Sequence, residues 1–509
     1  MSLDALEPDF EAFAADYEAG RPSLVSIRLV GDLETPVSAY LKLSQQRAGN
    51  CFLLESVEGG AARGRYSMIG LDPDVIFRVE GSSAAINRNA LRDPEVFEPC
   101  GKPPLQALRE LITQSAIPGR PDLPPMAAGV FGYLGYDMVR EMERLAPAKP
   151  DPIGAPDAML IRPTLMVVFD SVRDEVTIVT PARPTPGVSA RVAYETACER
   201  LDRVAQALEG PLGSAGLCSG GAPEPVKLQS NTKRERFMEM VERAKEYIRA
   251  GDIFQVVLSQ RFTAPFALPA FALYRALRRV NPAPFLCFLD FARFQIVCSS
   301  PEILVRLADG KVTIRPIAGT RWRGKTEEED RRLAAELLAD EKERAEHLML
   351  LDLGRNDVGR VAATGTVKVT ESFAIERYSH VMHIVSNVEG EADPSRDAID
   401  ALSAGFPAGT VSGAPKVRAM EIIDELEPDK RGIYGGCIGY FGSGGQMDTC
   451  IVLRTAIVKD GKMHVQAGAG VVYDSNPEYE QRECENKAMA LMRAAEEAVR
   501  FASRAKRGQ

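Results

Sequence analysis

The clearest structural signal in the chain comes from residues 433–473, which read IYGGCIGYFGSGGQMDTCIVLRTAIVKDGKMHVQAGAGVVY. This stretch contains three strand-like apolar runs, at 433–441, 449–459 and 463–473. Gly-Ser-Gly-Gly lies in the first connection, at 442–445, and Asp-Gly in the second, at 460–461. Connections this short join antiparallel neighbours, because parallel strands need a crossover of a dozen or more residues. The stretch therefore predicts antiparallel hairpins.

The same pattern continues on both sides of this stretch. Strand-like runs bounded by turn residues lie at 24–30, 51–57, 74–79, 163–181, 253–263, 285–298, 303–317 and 381–389. Helical spacing and capping residues predict helices at 187–208, 231–250, 327–339, 341–351, 415–425 and 477–502, with Asn231 or Thr232 capping the second. These elements predict an α+β fold in which large antiparallel sheets pack as a sandwich with helices outside.

A Gly-, Pro- and Ser-rich segment divides the chain. Residues 209–225 read EGPLGSAGLCSGGAPEP, a composition that cannot sustain a helix or a central strand. We therefore predict an N-terminal half over 1–208, a linker over 209–230 and a C-terminal half over 231–509. Because the linker is short beside such large sheets, we expect the two halves to interleave their strands.

Composition argues against several classes of protein. Lys and Arg total 62 and Asp and Glu total 71, so the net charge of the 509 residues is 62 − 71 = −9. A general nucleic-acid binder needs a basic surface, which this sign disfavours. Nine cysteines without a Cys-x-x-Cys pair disfavour a disulfide framework and favour a reducing cytoplasm. We expect neither a signal peptide nor a membrane span, since a span needs about 18 apolar residues in a row.

Two predicted helices carry glutamates at the same spacing. Glu343 and Glu346 lie three residues apart in one helix, and Glu480 and Glu483 lie three apart in the other. Taken alone, each pair is better explained by a solvated helix face near a helix N-terminus, where acidic residues favour the dipole. Alternatively, the two pairs converge on a hard cation such as Mg²⁺, which prefers carboxylate oxygens.

Two polar residues interrupt apolar strands, and one motif resembles a nucleophile elbow. His383 and Gln255 both sit in strand-like runs, where a buried polar group needs a reason to be there. Cys437 lies in Gly-Cys-Ile-Gly, which resembles the elbow of a glutamine amidotransferase. That chemistry also needs a His-x-Glu sequence, and His464 is followed by Val and Gln. We therefore expect Cys437 to be a small buried apolar residue.

Several long motifs resemble the chorismate-utilising enzymes and recur in the same order. They are Ser299-Ser-Pro-Glu302, Pro316-Ile-Ala-Gly-Thr-Arg321, Glu343-Arg-Ala-Glu-His347 leading to Asp352-Leu-Gly-Arg-Asn-Asp357, and Gly409 to Lys416. The resemblance covers about 231–505. In the other half, Leu53-Leu-Glu-Ser56 and Gly64-Arg-Tyr-Ser-Met-Ile-Gly70 resemble the tryptophan-sensing half of the anthranilate synthases.

Two positions help to choose the product within this family. Ala318 stands where aminodeoxychorismate synthases typically carry a nucleophilic lysine, so that covalent route is closed. Gln255 stands where isochorismate and salicylate synthases typically carry a lysine that activates water. A neutral amide is a poor base, so ammonia suits this site better. The resemblance thus implies an anthranilate synthase, a lyase at the first committed step of tryptophan biosynthesis, with aminodeoxychorismate or isochorismate synthase as the alternative.

The resemblance also implies roles for individual residues. Glu346 and Glu483 would hold one Mg²⁺, with Glu343 and Glu480 in or near the next layer of contacts. Glu302 would be the general acid, His383 would move a proton during pyruvate elimination, and Gln255 and Thr410 would complete the catalytic group. The implied substrate-binding residues are Gly319, Thr320, Tyr434, Arg454, Gly468, Ala469, Gly470 and Lys487.

Regulation and partners are implied in the same way. Tryptophan, as a feedback inhibitor, would bind a site made by Glu55, Ser56, Pro284, Phe285 and Leu286. The family commonly reads Asn-Pro-Ser-Pro-Tyr-Met where residues 281–286 read Asn-Pro-Ala-Pro-Phe-Leu, a change that bears on inhibitor affinity. Ammonia would come from a separate glutaminase subunit within a heterotetramer. A non-catalytic amino-acid sensor is the rival from another class, and the intact acidic residues argue against it.

Overall fold

The structure of the protein is a computed structural model that describes residues 6–45, 47, 49–58, 62–212, 228–378 and 381–503. Most of the predicted linker, residues 213–227, lies outside this described part. Across the described ranges, none of the helices combines the length and the apolar character that crossing a membrane requires.

The described chain forms eleven α-helices and twenty-three strands. The helices are α1 (Phe10–Glu18), α2 (Pro36–Ser44), α3 (Pro104–Ser115), α4 (Ala190–Glu209), α5 (Arg234–Ala250), α6 (Ala270–Val280), α7 (Glu327–Ala339), α8 (Glu341–Gly359), α9 (Ala398–Gly405), α10 (Lys416–Leu426) and α11 (Pro477–Ser503). The strands are β1 (Leu6–Glu7), β2 (Ser23–Val30), β3 (Cys51–Glu58), β4 (Ala62–Glu80), β5 (Ser83–Asn87), β6 (Glu98–Pro99), β7 (Gly129–Leu134), β8 (Ala158–Asp170), β9 (Glu175–Ala182), β10 (Gln229–Ser230), β11 (Gln255–Pro265), β12 (Phe285–Asp290), β13 (Gln295–Ser300), β14 (Ile303–Ala308), β15 (Lys311–Ile314), β16 (Ile317–Trp322), β17 (Lys368–Arg377), β18 (Val381–Glu391), β19 (Gly413–Ala414), β20 (Cys437–Gly442), β21 (Met447–Ile451), β22 (Thr455–Lys459) and β23 (Lys462–Val471).

The strands join into one hydrogen-bonded network with two long arms, both antiparallel throughout. The first arm runs β10, β11, β23, β22, β13, β12, β3, β4, β8. The second continues from β8 through β7, β20, β21, β14, β15 and β18, with β16 and β17 flanking β18. Helices α8 and α11 pack against β16, β18 and β23. The predicted α+β fold with large antiparallel sheets is confirmed.

Strands from the two sides of the linker pair directly with each other. In the β3–β12 ladder, Leu286 lies opposite Glu55 and Phe285 opposite Ser56. A second contact joins β7 to β20, where Cys437 lies opposite Leu134. The segments 1–208 and 231–509 therefore share one sheet network, and their division into a regulatory and a catalytic half stays a functional prediction.

The apolar core crosses the same boundary. Tyr40 of α2 stacks on Phe271 of α6 with ring centroids 4.5 Å apart, and both rings contact Phe288 of β12. Burial of such a side chain contributes roughly 1.5–3 kcal/mol each, so these contacts fix α6 firmly over the paired strands.

The turn and cap chemistry explains most element boundaries. Asp309 and Gly310 have φ of 51° and 71°, and Asp460 and Gly461 have φ of 50° and 70°. Two consecutive positive φ angles are typical of a two-residue type I′ hairpin turn, which confirms the predicted hairpin at 460–461 and shows the same turn at 309–310. The predicted cap of α5 is wrong: Lys233 takes that position without a side-chain hydrogen bond.

Candidate active site

The first turns of α8 and α11 face each other across the start of β11. Asp340 caps α8 by accepting hydrogen bonds from the N–H groups of Lys342 and Glu343, at 3.1 and 3.2 Å. This cap fixes the rotation of α8, so that Glu346 receives a 3.2 Å hydrogen bond from the Nε2 of Gln255 on β11. The two predicted residues from distant parts of the sequence are thus brought together.

Helix α11 starts with a cap of the same kind. The Asn476 side chain accepts a hydrogen bond from the Tyr479 N–H at 3.1 Å, and Pro477 is the first helical residue. This start turns Glu480 inward, where it is only 5% exposed. Lys342 of α8 pairs with Asp474 just before α11, at 3.4 Å, and so holds the two helix starts together.

The carboxylates at these helix starts repel one another. Burial raises the pKa of Glu346, and the charges of Glu343 and Glu483 raise it further, against the hydrogen bond from Gln255. Burial also raises the pKa of Glu480 to about 7, and Glu483 adds to that shift. Such mutual repulsion in a partly buried place is the electrostatic environment that a bound cation would relieve.

Two basic residues offset part of this negative charge. Arg321 bridges Glu343 at 3.3 Å and Asp340 at 2.7 Å. Lys487 pairs with Glu483 at 2.6 Å and donates to the Gly468 carbonyl at 2.9 Å. Lys487, which we predicted to bind substrate, therefore lies directly beside a predicted metal ligand.

The donor set fits a hard divalent cation in kind. The acidic side chains of α8 and α11 supply carboxylate oxygens, the ligands that Mg²⁺ prefers. In the structure, the carboxylate oxygens of these glutamates are too far apart to form a group of three within 4.8 Å. Within the described ranges, the only such group of potential ligand atoms is formed by the sulfurs of Cys287, Cys298 and Cys450. Those thiols are buried in the core, and soft sulfur ligands do not suit Mg²⁺.

Glu302 is a buried acid next to Thr410. It is 6% exposed, and the Thr410 hydroxyl donates to its carboxylate at 3.2 Å. Burial raises the pKa of Glu302 to about 8, although Thr410 and the Ile317 N–H both act to lower it. The carboxyl group is therefore largely protonated at neutral pH, as a general acid must be. Glu302 and Thr410 also line a partly open pocket beside α8.

His383 on β18 is held as a neutral imidazole. Its Nδ1 lies 3.0 Å from the Gly319 carbonyl oxygen and 3.1 Å from the Thr320 hydroxyl. A carbonyl oxygen only accepts, so Nδ1 carries the proton and Nε2 remains a proton acceptor. Burial lowers the pKa of His383 to about 4, and the charge of Arg454 lowers it further. The ring of Tyr378 packs edge-on against it at 5.5 Å.

Strand β16 joins the acid, the histidine and the carboxylates. The N–H of Ile317 points toward Glu302. On the same strand, Gly319 and Thr320 form the hydrogen bonds to Nδ1 of His383. Gly319 has a φ of +74°, and a Cβ added there would lie 3.1 Å from a carboxylate oxygen of Glu343. The positive φ and this close approach explain why glycine occupies the position.

The remaining predicted substrate-binding residues lie on and around β23. A Cβ added at Gly470 would lie 2.7 Å from the Gln255 Nε2, and one at Gly468 would lie 2.8 Å from the Tyr434 hydroxyl. Ala469 between them is fully buried. Among the described residues, the Oε1 of Gln255 is buried without a hydrogen-bond partner, so it is an acceptor that a ligand could use.

The predicted inhibitor residues form a separate group on the other side of β13. Glu55 accepts two hydrogen bonds from the Arg278 guanidinium, at 2.7 and 2.9 Å, and one from the Tyr274 hydroxyl, at 2.5 Å, so its carboxylate is fully paired. Ser56 donates to the Tyr66 carbonyl at 3.0 Å. Leu286 is buried, whereas Pro284 and Phe285 are half-buried.

Sequence reasoning missed several residues of these two groups. Tyr378, Tyr274 and Arg278 have no motif of their own, and only the folded sheet places them beside His383 or Glu55. Arg321 was within a recognised motif, so its role could have been inferred from the need to offset nearby glutamates. Cys437 behaves as predicted, because it is 1% exposed and burial raises the pKa of its thiol to about 12.

Comparison with known proteins identifies relatives along nearly the whole chain. A family described as chorismate binding enzyme matches residues 49–493. Anthranilate synthase component 1 of Cereibacter sphaeroides is 57% identical over 500 residues, which are 98% of this chain and 99% of that protein. The Thermus thermophilus protein of the same name is 50% identical over 470 residues, covering 92% of this chain and 96% of its own length.

Solved structures agree with these relatives. The crystal structure of anthranilate synthase component I from Streptococcus pneumoniae TIGR4 superposes with a TM-score of 0.74 at 37% identity, covering 91% of this chain and 98% of that one. The menaquinone-specific isochorismate synthase of Escherichia coli has a TM-score of 0.70 at 20% identity over 96% and 98% of the two chains, so it shares the fold. The chain therefore belongs to the chorismate-binding enzyme family and, within it, to the anthranilate synthase component 1 proteins.

Proposed function

We propose that this chain converts chorismate and ammonia to anthranilate, pyruvate and water, at the first committed step of tryptophan biosynthesis. The observation that carries the proposal is the arrangement around β16. One strand there contacts a protonated buried acid, a neutral histidine and the carboxylates at the start of α8. An amination that expels a hydroxyl group and then an enolpyruvyl group needs an acid, a base and a means to neutralise a dianionic substrate.

Mg²⁺ is the cofactor that the acidic helix starts would hold. Glu346 and Glu483 are the proposed ligands, and Glu343 and Glu480 stand next to them. When bound, the ion would act as a Lewis acid and template for the ring carboxylate of the substrate. Without such an ion, the same glutamates would repel a dianion.

Glu302 is the proposed acid of the first stage. Ammonia adds to the ring carbon next to the one that bears the carboxylate, both ring double bonds shift by one position, and the carbon–oxygen bond to the hydroxyl group breaks. That hydroxyl takes the proton of Glu302 and departs as water. Thr410, whose hydroxyl donates to Glu302 at 3.2 Å, orients the carboxyl group and stabilises the carboxylate that remains.

His383 is the proposed base of the second stage. Its free Nε2 removes the proton from the carbon that now bears the nitrogen. The bond to the enolpyruvyl oxygen then breaks, the ring becomes aromatic, and the leaving group gains a proton to become pyruvate. The bond from Nδ1 to the Gly319 carbonyl keeps the imidazole in the tautomer that this step requires.

Two residues favour this product over those of the related synthases. Ala318 has no nucleophilic group, and its side chain is buried, 7% exposed, on β16. Gln255 donates to Glu346 through Nε2, so its amide is not a base for water. Both features disfavour aminodeoxychorismate or isochorismate as the product.

The partner and the inhibitor complete the proposal. We assign ammonia delivery to a separate glutaminase subunit, because Cys437 lacks the histidine and carboxylate that an amidotransferase requires. Tryptophan is the proposed feedback inhibitor at Glu55, Ser56 and residues 284–286. The proposed cytoplasmic location rests on cysteine usage in the sequence.

The deciding experiment incubates the pure chain with chorismate, an ammonium salt and Mg²⁺, and identifies the products. Anthranilate fluorescence with an equal amount of pyruvate is expected. Isochorismate, or an aminated product without pyruvate, would contradict the proposal. Glutamine in place of ammonium should give no product, and turnover with glutamine would contradict the separate glutaminase.

A further inference from the structure

Four residues form one row across neighbouring strands between the inhibitor region and the active site. Glu55 of β3 lies opposite Leu286 of β12, and Leu286 lies opposite Ser299 of β13. Beyond Ser299 comes Arg454, which immediately precedes β22; the adjacent pair in that ladder is Cys298 with Thr455. The row therefore runs from a predicted inhibitor contact to a predicted substrate contact within three strand spacings.

Ser299 is bonded toward both ends of this row. Its N–H donates to the Arg454 carbonyl at 3.2 Å, and its hydroxyl donates to the Asn281 carbonyl at 2.5 Å. The N–H of Ser299 points toward Arg454 and therefore away from Leu286. Ser299 and Leu286 thus form a non-hydrogen-bonded antiparallel pair, the type in which the two side chains lie closer together. Ser299 is fully buried, so water does not replace either bond.

Asn281 belongs to the same helix that holds Glu55. It ends α6, and the Tyr274 and Arg278 side chains that bind Glu55 lie on that helix. The segment 282–286 that follows Asn281 carries the predicted inhibitor contacts. A ligand that moves Glu55 or this segment therefore moves the acceptor of the Ser299 hydroxyl.

Arg454, at the active-site end of the row, has a backbone conformation that depends on its neighbours. It has a φ of +48°, a conformation that non-glycine residues rarely adopt, so its backbone is held by its neighbours rather than by its own preference. Its guanidinium is close enough to His383 to affect the charge state of that ring. A shift in the Ser299 N–H would release the Arg454 carbonyl and reorient the side chain beside His383.

We propose that Ser299 is the positioning residue through which the inhibitor region controls Arg454, by joining the end of α6 to the backbone of Arg454. This inference rests on the proposed function and adds to it the physical link between the two sites. Ser299 touches neither ligand. Ser299 affects the factor by which bound chorismate lowers the affinity for tryptophan, and the reverse, which is the coupling between the two binding equilibria.

The test compares Ser299→Ala with Ser300→Ala. Ser300 is an equally buried serine on the same strand, but its hydroxyl donates to the Ile451 carbonyl at 2.6 Å and, among the described residues, forms no hydrogen bond with α6 or Asn281. Tryptophan affinity is measured by calorimetry with and without chorismate, in the presence of Mg²⁺ and without any ammonia source, so that no turnover occurs. KM and kcat are then measured with ammonium, with and without tryptophan. The ratio of the two tryptophan affinities is the coupling factor.

Ser299→Ala should bind tryptophan nearly as wild type does, yet lose most of the coupling factor, about fivefold or more. Its KM for chorismate should rise more than its kcat falls, because Arg454 binds substrate. Ser300→Ala should keep the coupling factor, and Ser299→Thr, which retains the hydroxyl, should restore it. If Ser299→Ala is not folded by circular dichroism, the isosteric Ser299→Cys, a weaker donor, takes its place.

A coupling factor in Ser299→Ala or Ser299→Cys within twofold of wild type overturns the inference. An equal loss in Ser300→Ala overturns it too, because the effect would then belong to any buried hydroxyl of β13. If wild type forms anthranilate but binds no tryptophan, the proposed inhibitor site is wrong and this inference falls with it, while the catalytic proposal stands.

Discussion

The active site and the inhibitor region treat their glutamates in opposite ways. At the starts of α8 and α11, Glu346 is half-buried and Glu480 is buried, and burial raises the pKa of both carboxyl groups, with a smaller contribution from neighbouring glutamates. In the inhibitor region, Glu55 is also buried but receives two bonds from Arg278 and one from Tyr274. The glutamates of the active site therefore lie near other negative charges, whereas the charge of Glu55 is neutralised by an ion pair within the protein.

This difference shows which acids serve binding and which serve the fold. Carboxylates that repel one another lower the stability of the folded protein, and a bound cation would offset this loss. We therefore interpret them as functional residues. A fully paired carboxylate stabilises the fold, and an amino group that binds it must compete with Arg278. Substitution should therefore change stability in opposite directions in the two regions.

The largest effect is expected for Glu302→Gln, which keeps a hydrogen-bond acceptor for Thr410 but removes the acid. The rate of anthranilate formation should fall about 10²- to 10⁴-fold. In wild type, the rate divided by the free ammonia concentration should decline as pH rises through about 8, because deprotonation removes the acid. A rate profile that is flat across this range, or a variant with near-normal rates, would contradict the role of Glu302.

A smaller effect on turnover, with a gain in stability, is expected for Glu346→Gln. Mg²⁺ affinity, measured by calorimetry, should fall at least about 10- to 100-fold. Without Mg²⁺ the melting temperature should rise, since one half-buried like charge has been removed. Glu341→Gln, an exposed glutamate in the same helix turn, is the control and should change neither quantity. Unchanged Mg²⁺ binding in Glu346→Gln would exclude it as a ligand.

The smallest effect, and the opposite sign of stability change, is expected for Glu55→Gln. Loss of the charge leaves Arg278 without its partner, and because Arg278 is 22% exposed the free energy of unfolding should fall by only about 1–3 kcal/mol. Urea denaturation measures this change. Glu110→Gln, in an exposed pair with Lys102, should lie within about 0.5 kcal/mol of wild type. A stabilised Glu55→Gln would contradict the contrast between the two regions.

Local chemistry in the sequence was enough to predict many elements of the fold. Helix α7 begins and ends where predicted, because Thr326 caps it and Asp340 closes it. Helix α8 runs eight residues past the predicted end at 351, through Gly354 and Asn356, because packing against β16 and β18 outweighs their poor helix propensity. Asn231 or Thr232 was expected to cap α5, but the Asn231 side chain instead accepts from the Arg261 N–H, a partner made available only by the fold.

The long-range parts of the site could not be predicted from spacing. Two glutamates three residues apart give no sign of the helix they will face, and the hydrogen bond from Gln255 to Glu346 joins residues 91 positions apart. Likewise, the pairing of β3 with β12 depends on register across the whole sheet. The family motifs supplied this information only as a resemblance.

The most direct test of the account is where a divalent ion binds. Crystals soaked with Mn²⁺ in place of Mg²⁺ would be examined by anomalous scattering, in wild type and in Glu346→Gln. We expect a single strong site between the starts of α8 and α11, liganded by oxygens of Glu346 and Glu483, and greatly weakened in the variant. An ion bound elsewhere, or a site that the variant leaves unchanged, would contradict the claim that these two helices together hold the metal.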